Sequence, residues 1–326
     1  MERQILVPLD GSPLAELALP QAVAMAQAIG SGLTLIRVIR PTAAHEIIGF
    51  HSKSRDLRWM DEIGPAHEYL TAVAGRLRAT GLQVSTRIEE GDPAERIVAR
   101  ADYERSIALI AMATHGRSGL RRWLMGSVAE KVLYATPKPL LLVRIRKETT
   151  PQEIGALTYT RILVPLDVSS LAEQALDAAR TIAAATGAAL TLVSVTPTFE
   201  DLASIADGLS LDWIEDEYKA QQREAASYLA EKEKQLAEQG IPVGSRVLAG
   251  DPAEEILRAA TLERADLIVM ATHGRSGIQR LWYGSVASRI IQAAELPVLL
   301  IRPVESEEGA AEDSAAHRAE SMTQGG

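Results

Sequence analysis

The sequence predicts two similar α/β domains, each a five-stranded parallel sheet with helices on both faces. Three observations carry this prediction. The chain repeats itself: Gln4–Asp10 (QILVPLD) matches Arg161–Asp167 (RILVPLD) at an offset of 157, and Gly91-Asp92-Pro93-Ala94-Glu95 matches Gly250-Asp251-Pro252-Ala253-Glu254 at 159. The loop Ala113-Thr114-His115-Gly116-Arg117-Ser118-Gly119 recurs as Ala271-Thr272-His273-Gly274-Arg275-Ser276-Gly277 at 158. Such a period is too long for a solenoid unit, so each copy is a domain. The length, 326 residues, suits two domains. Within each copy, short apolar runs alternate with helical patterns, which argues for a parallel sheet covered on both faces.

In the first copy, Ile5–Leu9 is a buried strand. Ser12-Pro13 starts a helix, serine as cap and proline at the first position, running to Gly30 as C-cap. Leu33–Ile39 is a second strand. Pro41–Asp61 has no clear pattern and reads as irregular. A helix follows from about Asp61 to Thr80, with Leu70, Val73 and Leu77 at helical spacing. Gln83–Glu89 is a third strand. Asp92-Pro93-Ala94-Glu95 has cap, proline and acid in capping-box order, so Asp92 and Asp251 read as helix caps rather than active-site acids. Ile107–Met112 is a fourth strand, Gly126-Ser127 opens another helix, and Leu140–Ile145 is a fifth strand.

The second copy repeats this order and ends in Val298–Ile301. Glu215–Glu238 reads as an amphipathic helix, with Tyr218, Ala225, Leu229 and Leu236 on one face. The predicted boundaries are 1–146 and 161–303 for the domains, a polar linker at 147–160, and a disordered acidic tail at 304–326.

Composition narrows the function classes. Apolar residues make up 47%, enough for two cores, and there is no cysteine, which excludes disulfides, thiolate metal sites and a cysteine nucleophile. The net charge is −9, with a net of −5 in the tail alone. No basic patch suggests nucleic acid as a partner. Met1-Glu2-Arg3 leads straight into a strand, and no uncharged apolar run reaches about 18 residues. The expectation is a cytoplasmic protein with no membrane partner.

The repeated loop carries the chemistry. Nine residues separate Gly116 from Gly126, and Gly274 from Gly284; each second glycine precedes a serine, Ser127 or Ser285. Gly116 and Gly274 let a backbone approach phosphates closely. Gly126-Ser127 and Gly284-Ser285 open helices, whose free N–H groups and positive dipole end attract anions. Ser127-x-x-Glu130 is a complete capping box, which would occupy the Ser127 hydroxyl; Ser285-x-x-Ser288 lacks the glutamate. Asp10 ends strand one and the His115-Gly116 loop follows strand four. If those strands are neighbours, both motifs meet in one crevice beyond the strand ends. No nearby His, Asp or Glu turns His115 or His273 into a metal site, so backbone contacts are their expected role. Arg117, Arg122 and Arg275 would offset phosphate charge or stay solvated.

Taken together, these residues resemble the universal stress protein family in its tandem two-domain form. The resemblance covers almost all of residues 1–303 and implies a Rossmann-like, adenine-nucleotide alpha-hydrolase-like fold. Its ATP-binding members carry a loop of Gly, two residues, Gly, nine residues, Gly, then Ser or Thr. Here alanine, Ala113 or Ala271, takes the first glycine's place; it follows the apolar strand residues Met112 and Met270, where it is harmless if the backbone is still strand. The resemblance implies that Asp10 and Asp167 contact the adenosine portion and that Val38 and Val195 touch adenine. The implied nucleotide contacts are Pro8, Leu9, Asp10, Val38, Met112, Ala113, His115, Gly116, Gly126, Ser127 and Val128 in the first copy. In the second they are Pro165, Leu166, Asp167, Val195, Met270, Ala271, His273, Gly274, Gly284, Ser285 and Val286.

The ligand implied is ATP, alone or with magnesium, and the protein is expected to be a nucleotide-responsive regulator rather than an enzyme. A nucleotide-independent scaffold of the same fold is the alternative, and slow ATP hydrolysis is compatible with either. The chain lacks Gly-x4-Gly-Lys-Ser/Thr, Ser-Gly-Gly-x-Asp-Ser and a HIGH-type motif, so a P-loop ATPase, pyrophosphatase or nucleotidyl transferase is not expected. The apolar fifth strands would lie at sheet edges and invite pairing. In the family such strands meet antiparallel, which the two domains can do as an intramolecular pseudo-dimer, with or without further homodimerisation. The inserts after strand two, Pro41–Asp61 and Pro197–Glu217, are expected to cover the adenine crevice.

Overall fold

The computed structural model of the protein describes residues 3–40, 52–114 (side chains from 62), 125–144, 154–205, 210–272 and 284–302. The first half runs β1 (Gln4–Pro8), α1 (Pro13–Glu16), α2 (Leu19–Ile29), β2 (Gly32–Ile39), α3 (Ser52–Arg78), β3 (Val84–Glu90), α4 (Pro93–Tyr103), β4 (Ile107–Ala113), α5 (Ser127–Ala135) and β5 (Leu140–Val143). The second half runs β6 (Arg161–Pro165), α6 (Ser170–Thr186), β7 (Ala189–Thr196), α7 (Phe199–Ile205), α8 (Leu211–Glu238), β8 (Val243–Ala249), α9 (Pro252–Leu262), β9 (Leu267–Ala271), α10 (Ser285–Ala293) and β10 (Val298–Ile301).

All ten strands join one sheet in the order β3-β2-β1-β4-β5-β10-β9-β6-β7-β8. Pairing is parallel within each half. At the centre β5 and β10 run antiparallel, Val298 opposite Leu142 and Leu300 opposite Leu140. The strands expected at open edges thus close on each other, and the sheet's true edges are β3 and β8.

Continuous apolar runs let the central strands bury both faces. One face packs α2, α3, α6 and α8 through Val23, Leu70, Leu77, Ile182 and Leu229; the other packs α4, α5, α9 and α10 through Ile97, Val132, Ile256 and Ile290. Each of these clusters crosses the β5–β10 seam. Leu70, Val73 and Leu77 are all buried, as their spacing predicts. Among the described residues no helix is long and apolar enough to cross a membrane.

Two arginines clasp the halves reciprocally. Arg144, just after β5, donates to the carbonyls of Gln292 and Ala294 at the C-terminal end of α10, the latter at 3.1 Å. Arg302, just after β10, donates to the Leu133 and Tyr134 carbonyls at the end of α5, both at 3.0 Å. A helix leaves its last carbonyls unsatisfied and carries partial negative charge there, so each arginine supplies what the opposite helix lacks.

Several expectations need correction. The first helix is two pieces, because Pro20 has no N–H and its ring crowds the carbonyl one turn earlier. Its counterpart α6, with Asp177 in place of Pro20, is continuous. α3 begins at Ser52, so most of the stretch read as irregular after residue 51 is helical; Pro65 lies inside that helix and hid it. The insert after β7 is helical too, as α7 and the first turns of α8. The end of the linker is docked. Tyr159 is fully buried and donates to Gln21 Oε1 at 3.0 Å, while the Thr160 N–H and hydroxyl both reach Asp266 at 2.7 Å. The tail expectation lies outside the described residues.

Candidate functional site

The condition set by the sequence is met: β1 and β4 are neighbours, with Leu6 opposite Ile110. Strand order reverses there, because β1 leads to β2 on one side and β3 crosses back to β4 on the other. This leaves a crevice beyond their carboxyl ends. It is a cavity of about 640 Å³. Pro8, Leu9, Asp10, Val38, Met112, Ala113, Gly126, Ser127 and Val128 all line it, drawn from four separate chain segments. His115, Gly116, His273 and Gly274 lie outside the described residues, as do Arg117, Arg122 and Arg275.

The β1 end holds Asp10 firmly. One of its carboxylate oxygens accepts from the Ser12 N–H at 2.9 Å and the Ser12 hydroxyl at 2.6 Å, while Ser12 caps α1 by accepting from Ala15 N–H at 3.2 Å. Asp167 and Ser169 repeat this turn and cap α6 at Ala172. Between them the chain turns through positive φ, +82° at Gly11 and +65° at Val168. Glycine adopts this conformation freely, whereas a β-branched valine is strained in it.

The base of the repeated loop is pinned identically in both halves. Gly126 N–H donates to Thr114 at 2.8 Å and Gly284 N–H to Thr272 at 3.0 Å; Thr114 and Thr272 N–H donate to Val143 and Ile301. Ala113 and Ala271 are the last residues of β4 and β9, paired with Val143 and Ile301. Neither has positive φ, so alanine carries no conformational cost there.

The serine assignment changes. Gly126 and Gly284, extended at φ −62°, are the N-caps of α5 and α10, and no side chain caps either helix. Ser127 is the first helical residue, one position too late to close a capping box with Glu130. The expected contrast between Ser127 and Ser285 therefore disappears.

Asp92 and Asp251 are the caps the sequence predicts. Asp92 accepts from Ala94 N–H at 3.0 Å and Glu95 N–H at 3.2 Å, and Asp251 accepts from Glu254 N–H at 3.0 Å. Partial burial pushes the Asp92 carboxyl up, but the Glu95 N–H, Lys131 and other donors outweigh it and hold it below the ordinary range. The Glu254 N–H, then Arg289, do the same for Asp251.

The structure adds lining residues that no motif announced. Arg37 and Arg40 come from the end of β2 and beyond, and Glu62 and Pro65 from α3. Glu62 and Pro65 follow directly on the insert Pro41–Asp61, whose own side chains lie outside the described residues. Arg37 also lies over the Tyr69 ring, 5.4 Å from its centre. Burial, and then the charges of Glu16 and Asp10, push the Tyr69 phenol well above its ordinary range. Tyr228 repeats this beside Glu173 and Asp167. Among the described residues no group of three His, Asp or Glu could hold a metal ion.

In the second half, Asp167 ends β6's loop, Val195 lies near the end of β7, and Met270–Ala271 end β9 beside Gly284–Val286. β6 and β9 are neighbours, with Leu163 opposite Ile268, so these residues gather as their counterparts do. Pro165 and Leu166 complete the strand end, Leu166 buried.

The universal stress protein family model matches this chain twice, over residues 1–144 and 158–302. A universal stress protein of Methanocaldococcus jannaschii is 34% identical over 154 residues, covering 47% of this chain and 88% of its own. One from Mycolicibacterium smegmatis is 26% identical over 308 residues, covering 93% and 98%. The crystal structure of a universal stress protein from Archaeoglobus fulgidus superimposes with a TM-score of 0.66 at 21% identity, covering 92% of this chain and 98% of that one. The two family matches fall on the two halves of the sheet, and the chain belongs to the universal stress protein family in a tandem, two-domain form.

Proposed function

We propose that the chain binds an adenine nucleotide, ATP, in the crevice between β1 and β4, and that binding serves regulation rather than catalysis. The observation that carries this is the single cavity of about 640 Å³ into which the β1 end, Val38, the β4 end and Gly126–Val128 all converge. Small-ligand sites are typically about 300–1,000 Å³. The first-turn N–H groups of α5 have no partner within their helix, and a phosphate would supply one.

The glycines support the same reading. Gly284 is extended, and a Cβ built on it would meet only the Thr272 carbonyl, at an ordinary 3.5 Å. Neither backbone conformation nor packing among the described residues requires glycine at this N-cap, which is compatible with close approach of a ligand. Asp10, oriented by Ser12, is an acceptor for the nucleoside part. Ser127 and Ser285 have no capping role and can donate to a phosphate. Magnesium would arrive with the triphosphate. Bound ATP would favour one arrangement of the crevice and so alter partner choice by population shift. No dedicated catalytic group is proposed, slow hydrolysis being a side reaction, and the cytoplasm is the proposed setting.

The test is calorimetric titration of nucleotide-stripped protein with MgATP, beside Gly126→Val. Binding with a raised unfolding temperature, weakened by Gly126→Val, is expected. Neither heat nor thermal protection from wild-type protein would replace this reading with a nucleotide-independent scaffold.

A further inference from the structure

The two crevices share a backbone plan but differ in the side chains at their mouths. Arg37 and Arg40 line the first cavity; the matching positions in the second half are Ser194 and Pro197. Long helices α3 and α8 align without a gap through Tyr69 and Tyr228, so Glu62 and Pro65 correspond to Gln221 and Glu224. The first mouth therefore carries two arginines in the same lining as Asp10 and Glu62, where the second half has the uncharged Ser194 and Pro197.

A second difference is steric. Ile39 lines the first cavity; its counterpart Thr196 is hydrogen-bonded by Gln222 of α8, at the position held by Ile63 in the first half. Thr196 also donates to the Leu248 carbonyl at 3.3 Å. A polar strap thus ties the long helix to the strand end in the second half, where the first half has only apolar side chains.

We infer that the two sites are not equivalent: the first half is the nucleotide-responsive one, its preference for the anionic ligand set by Arg37 and Arg40, and the second is a weak site strapped by Gln222. This rests on the nucleotide reading above. Two charges within a cavity's width of a triphosphate, largely but not fully solvent-screened, favour the first site by roughly tenfold or more.

The experiment is calorimetry on the stripped full-length chain with ATP and with uncharged adenosine. The comparison set is wild type, the double variant Arg37→Ser/Arg40→Pro, and the triple variant Ser194→Arg/Pro197→Arg/Gln222→Ile. Thermal unfolding of each variant confirms that it folds. Wild type should show one tight equivalent of ATP, with any second at least tenfold weaker. The double variant should lose that tenfold for ATP and much less for adenosine. The triple variant should gain a second tight equivalent. Two equal ATP sites in wild type, or an unchanged tight event in the folded double variant, overturn the inference while leaving nucleotide binding intact. No binding of ATP to wild type refutes both readings together.

Discussion

Arg144→Ala should loosen the seam between the halves, and its cost can be worked from the contacts. The guanidinium donates to the Gln292 and Ala294 carbonyls at the end of α10. Hydrogen bonds from charged donors are each worth about 1.5–3 kcal/mol in favourable settings. Here the group is only partly buried, so about 1 kcal/mol per bond is the appropriate scale. A cation at a helix C-terminus adds about 0.3–1 kcal/mol. The expected loss is about 2.5 kcal/mol, or about 4 °C in melting temperature for a chain of this size. Arg302→Ala removes the mirror-related clasp on Leu133 and Tyr134 and should cost the same.

The two clasps share no carbonyl, so their losses should add within about 0.5 kcal/mol. Urea unfolding followed by tryptophan fluorescence and by far-ultraviolet circular dichroism would measure both. In each clasp one terminal nitrogen donates to both carbonyls, so lysine keeps the charge and a single donor nitrogen but loses the guanidinium's reach and planarity, and should recover about half. A loss below about 0.5 kcal/mol in both alanine variants would refute the claim that these arginines hold the seam.

Other expectations follow from the same contacts. Tyr159→Phe leaves the Gln21 amide oxygen without its hydroxyl donor in a buried place, and should cost about 1–2 kcal/mol by urea titration. Val168→Asn relieves a β-branched residue at φ +65° and should stabilise by about 1 kcal/mol; a lowered melting temperature would contradict the strain. Asp92 and Asp251 have folded pKa values below their unfolded ones, so their contribution is present above about pH 4 and disappears as pH falls through the lower, folded values. The urea midpoint should fall with pH in that acid range, and Asp251→Asn should shallow the fall. An identical acid limb in the variant would show that Arg289 and the α9 N–H groups do not lower that pKa.

Much of this structure is readable from the chain because the strands are buried on both faces. Apolar runs such as Ile107–Met112 and Leu140–Val143 leave little choice of position, and the predicted ends fall within about two residues of the observed ones. The meeting of Asp10 with the β4 end was legible too, because alternating elements and right-handed crossovers restrict topology. The start of α3 was not, since its first turns lack an apolar stripe and Pro65 looks like a breaker. Arg37 and Arg40 carry no motif; they matter through where β2 stops. Arg144 and Arg302 follow matching apolar strands in the sequence, but their targets are carbonyls about 150 and 170 residues away, which local pattern does not encode. Ser127 has the residue type of a cap but stands one position past it, and a cap is defined by one position.

Joining β5 to β10 within one chain has an evolutionary consequence. In a dimer of identical subunits, every substitution appears at both sites, so a change that helps one and harms the other is selected on its sum. Here the partner strand is tethered at a high effective concentration, and each half is encoded separately. A change such as the one separating Arg40 from Pro197 alters a single crevice while the seam stays intact. The clasping arginines are kept in both halves, whereas the crevice mouths have diverged. The shared sheet thereby acts as a fixed chassis on which one copy of the crevice can change while the other stays as it was.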